Sequence, residues 1–283
     1  MDRKRILMLS VLCTAFATAL AGRASAGADV VRTVYFSAVD AKGVFVTDLT
    51  AAELTVKEGG KERAIGTVAP ATAPMQVTLI VDDGGTGGFQ AAVSQFLEVM
   101  LGHGQFAITV LNPQPDQVTG FTEDVDALKT ALTRIGPRGR VVSVGEQIME
   151  AVEEAAKALE QRKAARPSIV VMTAGGEQAQ SNQAEPALNA LKRSGASLSV
   201  LYLTGLNLGQ VLGDGPKQSG GMTQQVNGNV VVGPVLAKIA DNLLHQYVLT
   251  YTLPDGVKPN EKLSLTTSRK GVTLLAPSRL PDK

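Results

Sequence analysis

Two adjacent carboxylates, Asp82 and Asp83, stand where an apolar run ends and a glycine-rich turn begins. The run, Val77 to Val81, is rich in β-branched and aliphatic residues, and Gly84, Gly85, Thr86, Gly87 and Gly88 follow it. Oxygen-bearing side chains at the end of a strand suit a hard divalent cation, whereas the backbone N–H groups of such a turn suit a phosphate. Phosphate is disfavoured, because two carboxylates repel it and the lysine of a nucleotide-binding loop is absent. A second constellation is Ser143, Asp214 and His245, in the order that α/β-hydrolases use. Val141-Val142-Ser143-Val144-Gly145 lacks the first glycine of a nucleophile elbow and a preceding strand, and no oxyanion loop is evident, so no catalysis is expected. His103 and His245 are the only histidines and share no motif.

The elements that would position these groups follow from pattern. Five consecutive residues of strand-forming type, apolar on both faces, predict a strand in the middle of a parallel sheet. Phe89, Val93, Phe96, Leu97 and Met100 recur at helical spacing, giving strand, polar loop, helix. Further strands are expected at Gln105 to Leu111, Ser168 to Thr173 and Ser197 to Leu203, with a short edge strand at Val118 to Phe121. Helices are expected after Thr122 as cap, over Val144 to Arg162, from Pro186 to Gly195, and over Val235 to Leu244. Strands alternating with helices imply right-handed crossovers and a parallel sheet. Leu206 to Gly221 is glycine-rich and predicts a loop, and Asn227-Gly228 predicts a hairpin running on into Val232.

The flanks read as strand and turn: Val34 to Val39, Val44 to Val46, and a hairpin of Leu54 to Glu58 with Arg63 to Ile65 on one side. On the other side are Tyr247 to Leu253, Lys262 to Thr267 and Val272 to Ala276. Either set is small for an independent core, so the two are expected to close one β unit from both ends of the chain. Val68 to Pro74, with two prolines among small residues, predicts a linker.

Residues 1–26 carry Arg3, Lys4 and Arg5, an apolar run from Ile6 to Leu20 and Ala24-Ser25-Ala26, which predicts a secretory signal cleaved after Ala26. Cys13, the sole cysteine, falls within it. Removing 26 of 283 residues leaves 257, and the basic and acidic residues then number 23 and 25, a net charge of −2. Neither nucleic acid nor an anionic membrane is an evident partner for that balance, and no second apolar stretch is long enough to cross a bilayer. With no tryptophan and 4% aromatic residues, a stacking platform for bases or sugars is not expected.

The order of these segments resembles a von Willebrand factor type A domain. The flanks resemble bacterial secreted "VWFA-related" proteins, through Val39-Asp40-Ala41-Lys42-Gly43, Val46-Thr47-Asp48-Leu49-Thr50, Leu54 to Lys61, Ile239-Ala240-Asp241 and His245 to Leu249. The resemblance implies a doubly wound α/β sheet with helices on both faces. It also implies a divalent cation held by Asp-x-Ser-x-Ser, a threonine from a second loop and an aspartate after a later strand. Asp82 matches the first of these, Gly84 replaces one hydroxyl, and Thr86 can replace the other. The threonine position falls at or beside Val142, with Ser143 as a substitute, and the last aspartate falls at Ala174, with Thr173 and Glu177 nearby. A vestigial metal site is therefore expected, Asp82 capping the helix instead, with no cofactor. The alternative is weak magnesium or calcium binding completed by Ser143 or Glu177.

The sequence is thus expected to encode a signal (1–26), an N-terminal β unit with linker (27–74), a type A-like domain (75–244, with loop and hairpin at 205–234) and C-terminal strands (245–283). The expected function is non-catalytic binding of an unidentified protein, as an adhesion or scaffolding module that is secreted from the cell or held in a periplasm. The expected contact face comprises Asp83, Gly84, Gly85, Ser143, Ala174 and Gly175. A metal-dependent adhesion module is the first alternative, and a serine hydrolase the second.

Overall fold

The computed structural model describes residues 29–112, 114–139, 145–175, 181–227 and 232–281. The signal segment, Ser143 and Glu177 lie outside them. The chain runs β1 (Val30–Asp40), a 3-10 turn (Ala51–Glu53), β2 (Leu54–Glu58), β3 (Lys61–Arg63) and β4 (Ile65–Pro70). It continues as β5 (Met75–Asp82), α1 (Gln90–Met100), β6 (Gly104–Asn112), β7 (Gln114–Thr122), α2 (Val125–Thr133), α3 (Gly145–Gln161) and β8 (Arg166–Thr173). Then come α4 (Ser181–Ser194), β9 (Ser197–Leu203), α5 (Gln210–Ser219), β10 (Thr223–Val226) and α6 (Val232–Leu244). Strands β11 (Tyr247–Leu253), β12 (Leu263–Thr267) and β13 (Val272–Leu275) complete it.

The central sheet has the order β10-β9-β8-β5-β6-β7, parallel except for the edge strand β7. Alternation along β5 splits its side chains between two cores. Val77, Leu79 and Val81 pack with α1, α2 and α6, and Ile80 packs with α3, α4 and α5. Burial on both faces is why the middles of β5 and β8, residues 79–81 and 169–172, are wholly apolar, each such side chain contributing roughly 1.5–3 kcal/mol. The chain leaves β5 toward β6 and later returns to β8 on the opposite side. The sheet's switch point therefore lies between the carboxyl ends of β5 and β8, where open α/β sheets leave a crevice.

The flanks do pair with one another. Strand β1 runs antiparallel to β11 and β13, β4 pairs with β11, and β12 pairs with β2. Their core is Val34, Phe36, Leu49, Val56, Tyr247, Leu249 and Tyr251, with Phe36 and Tyr247 stacked at 5.2 Å. Glu58 is buried there and accepts from Tyr251 Oη (2.6 Å) and the Asn260 N–H (2.6 Å), with Arg32 Nε at 3.9 Å. Three oxygen and nitrogen partners offset the desolvation of that carboxylate. Burial and Glu58 together push the Tyr251 phenol above its ordinary range.

The β unit is stapled to the sheet by Arg166, the first residue of β8. Its guanidinium donates to Gln246 Oε1 (2.9 Å), the Ala71 carbonyl (3.2 Å) and the Leu243 carbonyl in the last turn of α6. Ser37 of β1 also donates to Asn242 of α6.

Several sequence expectations are corrected. The glycine-rich stretch after Gly205 contains α5, because its glycines serve close packing. A Cβ on Gly215 would meet Leu198 Cδ2 at 2.7 Å, and one on Gly221 would meet the Leu198 carbonyl at 1.8 Å. Of the expected hairpin, residues 228–231 lie outside the described residues; Thr223 to Val226 form β10, parallel to β9, and Val232 opens α6 and is not strand. The expected linker is in part β4, where Pro70 is tolerated at the end of an edge strand. Phe45 makes only an isolated bridge to Val39. Asp124, not Thr122, caps α2, accepting from the N–H groups of Asp126 and Ala127. Pro186 lies inside α4 and not at its start.

Candidate functional site

Asp82 ends β5 and Thr173 ends β8, and the parallel register sets them side by side. Thr173 Oγ1 donates to Asp82 Oδ2 at 2.7 Å, and the Ala174 N–H donates to the Asp82 carbonyl at 2.7 Å. Both side chains are sealed, Asp82 at 1% and Thr173 at 0% exposure. Asp82 therefore ties two strand ends across the switch point. It does not cap α1: Phe89 holds that position and no side chain bonds there.

Asp83 points elsewhere, as successive residues leaving a strand must. It is 2% exposed, and its Oδ1 accepts from the Gly85 N–H at 3.0 Å and from Arg138 Nη2 at 2.9 Å. Arg138 comes from the segment after α2 and is fixed in turn: its N–H donates to the Gly85 carbonyl (2.9 Å) and its Nη1 to the carbonyls of Arg134 (2.7 Å) and Gly136 (3.3 Å). The two loops thus grip each other through backbone and side chain. Gly87 allows their approach, since a Cβ there would meet Pro137 Cδ at 2.7 Å and its φ is +76°. Asp83 Oδ2 and Arg138 Nε have no hydrogen-bond partner among the described residues, and a side-on approach of the same pair would satisfy both.

Thr86 is the exposed tip of the turn. Its hydroxyl donates to the Asp83 carbonyl (2.8 Å) and accepts from the Gly88 N–H (3.1 Å), so it closes the turn on itself.

These residues do not fit a magnesium site, which wants six oxygens in near-octahedral array. One oxygen of Asp82 is held by Thr173, the Thr86 hydroxyl bonds within its turn, and Gly84 and Ala174 bring no side-chain oxygen. A guanidinium, with its own positive charge, is bonded to Asp83. Of the residues expected on the contact face, Gly84, Ala174 and Gly175 are partly exposed, whereas Asp83 and Gly85 are buried. Ser143 and Glu177 fall outside the described residues. His245 Nδ1 is 2.8 Å from the Asp241 carbonyl and its ring stacks on Phe45 at 5.2 Å, contacts that do not involve Asp214. Arg138 was missed because a single arginine in a glycine–proline turn carries no motif; its only signal is a charge opposite a strand-end carboxylate of otherwise unassigned role.

No protein-family model matches the sequence, and neither does any curated protein. Solved structures do resemble it. A von Willebrand factor type A protein from Catenulispora acidiphila superposes with a TM-score of 0.52 at 10% identity, covering 88% of this chain and 74% of that one. The vWF domain of the type V pili tip protein Mfa5 from Porphyromonas gingivalis gives 0.48 at 10% identity, over 60% of this chain and 95% of that one. The first of these carries the fold comparison, and it includes the flanks as well as the central sheet.

Proposed function

Starting from a fold of the von Willebrand factor type A kind, we propose that this chain is a secreted, non-catalytic protein-binding module whose loop face works without a bound metal ion. The observation that carries the reading is the ion pair between Asp83 and Arg138. An internal guanidinium supplies positive charge beside the strand-end carboxylates, where a dication would otherwise be needed to make them tolerable in a buried setting. With the loops locked by that pair, the rigid exposed surface is Thr86, Gly84, Ala174 and Gly175. Such a face offers backbone polar groups and little side-chain entropy to lose on contact.

The test is retention of extracellular protein on the immobilised module in EDTA and in millimolar magnesium, wild type against Thr86→Arg. Retention in EDTA that Thr86→Arg removes supports the reading. Retention that requires magnesium, or that ignores Thr86→Arg, contradicts it.

One observation favours a second reading, metal-dependent adhesion: Asp83 Oδ2 is buried with no hydrogen-bond partner among the described residues. In that case Asp83, and not the Thr86 hydroxyl, would be the group that joins Asp82 as ligand, after giving up its bond to Arg138.

A further inference from the structure

At the opposite end of the sheet from Asp82, a cavity of about 310 Å³ lies between the central sheet and the β unit. Its walls are the starts of β8 and β9, one side of α4, Tyr35 of β1 and the C-terminal tail around Pro277 to Pro281. That volume is at the lower end for small-molecule sites, which favour junctions of this kind. Apolar surface comes from Leu188, Leu191 and Leu280, and charge from Arg166, Lys192 and Arg279. No acidic side chain is among the described lining residues.

Glu261, just outside the cavity, bonds both Lys192 (2.7 Å) and Arg279. Arg166, 4% exposed, has no carboxylate within ion-pair distance among the described residues. Its acceptors are two carbonyls and an amide oxygen, and the end of α6 contributes a partial negative charge of about half a unit. Burial lowers its pKa to about 10, still charged at neutral pH. A buried guanidinium that lines a cavity and has no carboxylate partner among the described residues is the complement of an anion.

We infer that this cavity binds a small organic anion, with its carboxylate or equivalent acidic group toward Arg166 and Arg279 and its apolar body against Leu188, Leu191 and Leu280. The inference does not depend on the loop face, which lies at the other end of the strands, so either can fail alone.

The purified protein is titrated with octanoate, octan-1-ol and inorganic phosphate, followed by melting temperature and by backbone amide NMR. Octanoate is expected to raise the melting temperature, to shift the Ala196 and Ser219 amides, and to bind about tenfold more tightly than octan-1-ol, as one charge-assisted hydrogen bond implies. Arg279→Gln should weaken octanoate about tenfold and leave octan-1-ol unchanged. Arg166→Gln should abolish the preference for the acid; should that variant not fold, Arg279→Gln decides, because its side chain is 40% exposed and its loss spares the core. Equal affinity for octanoate and octan-1-ol, amide shifts confined to other regions, or no binding at millimolar octanoate overturns the inference. Phosphate binding as tightly as octanoate overturns the assignment to an organic acid.

Discussion

Replacing Arg138 by methionine keeps most of the stem's packing and removes the charge. Asp83, 2% exposed, would be left with the Gly85 N–H as its partner in the turn. Breaking a buried ion pair from one side costs about 3–5 kcal/mol, because the remaining charge stays desolvated. Arg138 is 15% exposed and sits on a loop, so water can reach the orphaned carboxylate in part and the expected loss is about 2–3 kcal/mol. For a protein of this length that is a fall in Tm of roughly 4–12 °C. Asp83→Asn with Arg138→Met removes both charges and keeps an acceptor for Gly85, so the double variant should recover to within about 1 kcal/mol of wild type. Urea denaturation of the four proteins gives the coupling energy directly. A loss under about 0.5 kcal/mol for Arg138→Met, or a double variant no more stable than the sum of the singles, would refute the reasoning.

Other outcomes follow from the same geometry. Arg166→Met deletes three bonds that join β8, the segment after β4 and the end of α6, and is expected to cost about 2–4 kcal/mol in urea unfolding; a loss under 1 kcal/mol would show that the β unit is held otherwise. Gly221→Ala drives a Cβ to 1.8 Å from the Leu198 carbonyl, a backbone atom that cannot swing away, so a loss above about 3 kcal/mol or failure to fold is expected, and wild-type stability would contradict the close packing of this segment on β9. Arg269 and Thr50 hold Glu53 at about 2, below its ordinary 4.5. A lowered carboxylate stabilises the fold above its unfolded pKa and loses that contribution as pH falls from 4.5 toward 2. Glu53→Gln should therefore melt below wild type at pH 7, with the gap closing across that window; a gap independent of pH would count against the ion pair.

How much was legible in the sequence depended on what each residue answers to. The central strand was readable because burial on both faces forces Val77 to Val81 to be of one kind, and α1 and α3 because one buried stripe fixes their period. The pairing of the two flanks could be argued because neither could bury a core alone. Glycine was the misleading residue: Gly213, Gly215, Gly220 and Gly221 look like a loop, yet the segment that presses on β9 needs residues without side chains at Gly215 and Gly221, and Gly220 makes room for Pro277. The pairing of Thr223 to Val226 with β9 could not be read locally either, because it joins segments that only the crossover brings together. At the site, the carboxylates at the end of β5 were visible, but the partner of Asp83 was not. Asp83 and Arg138 are 55 residues apart, and only the tertiary fold brings them together.

The central claim is that the strand-end carboxylates find their partners within the protein, Asp82 in Thr173 and Asp83 in Arg138. Its most direct test is the melting temperature in EDTA and in millimolar magnesium, manganese and calcium, for wild type and for Asp82→Ala. A ligand present at a thousand times its dissociation constant stabilises by about 4 kcal/mol, a rise of several degrees that the method resolves easily. No rise is expected with any of the three metals. A rise with one of them that Asp82→Ala abolishes would contradict the claim and establish a working metal site at the end of β5.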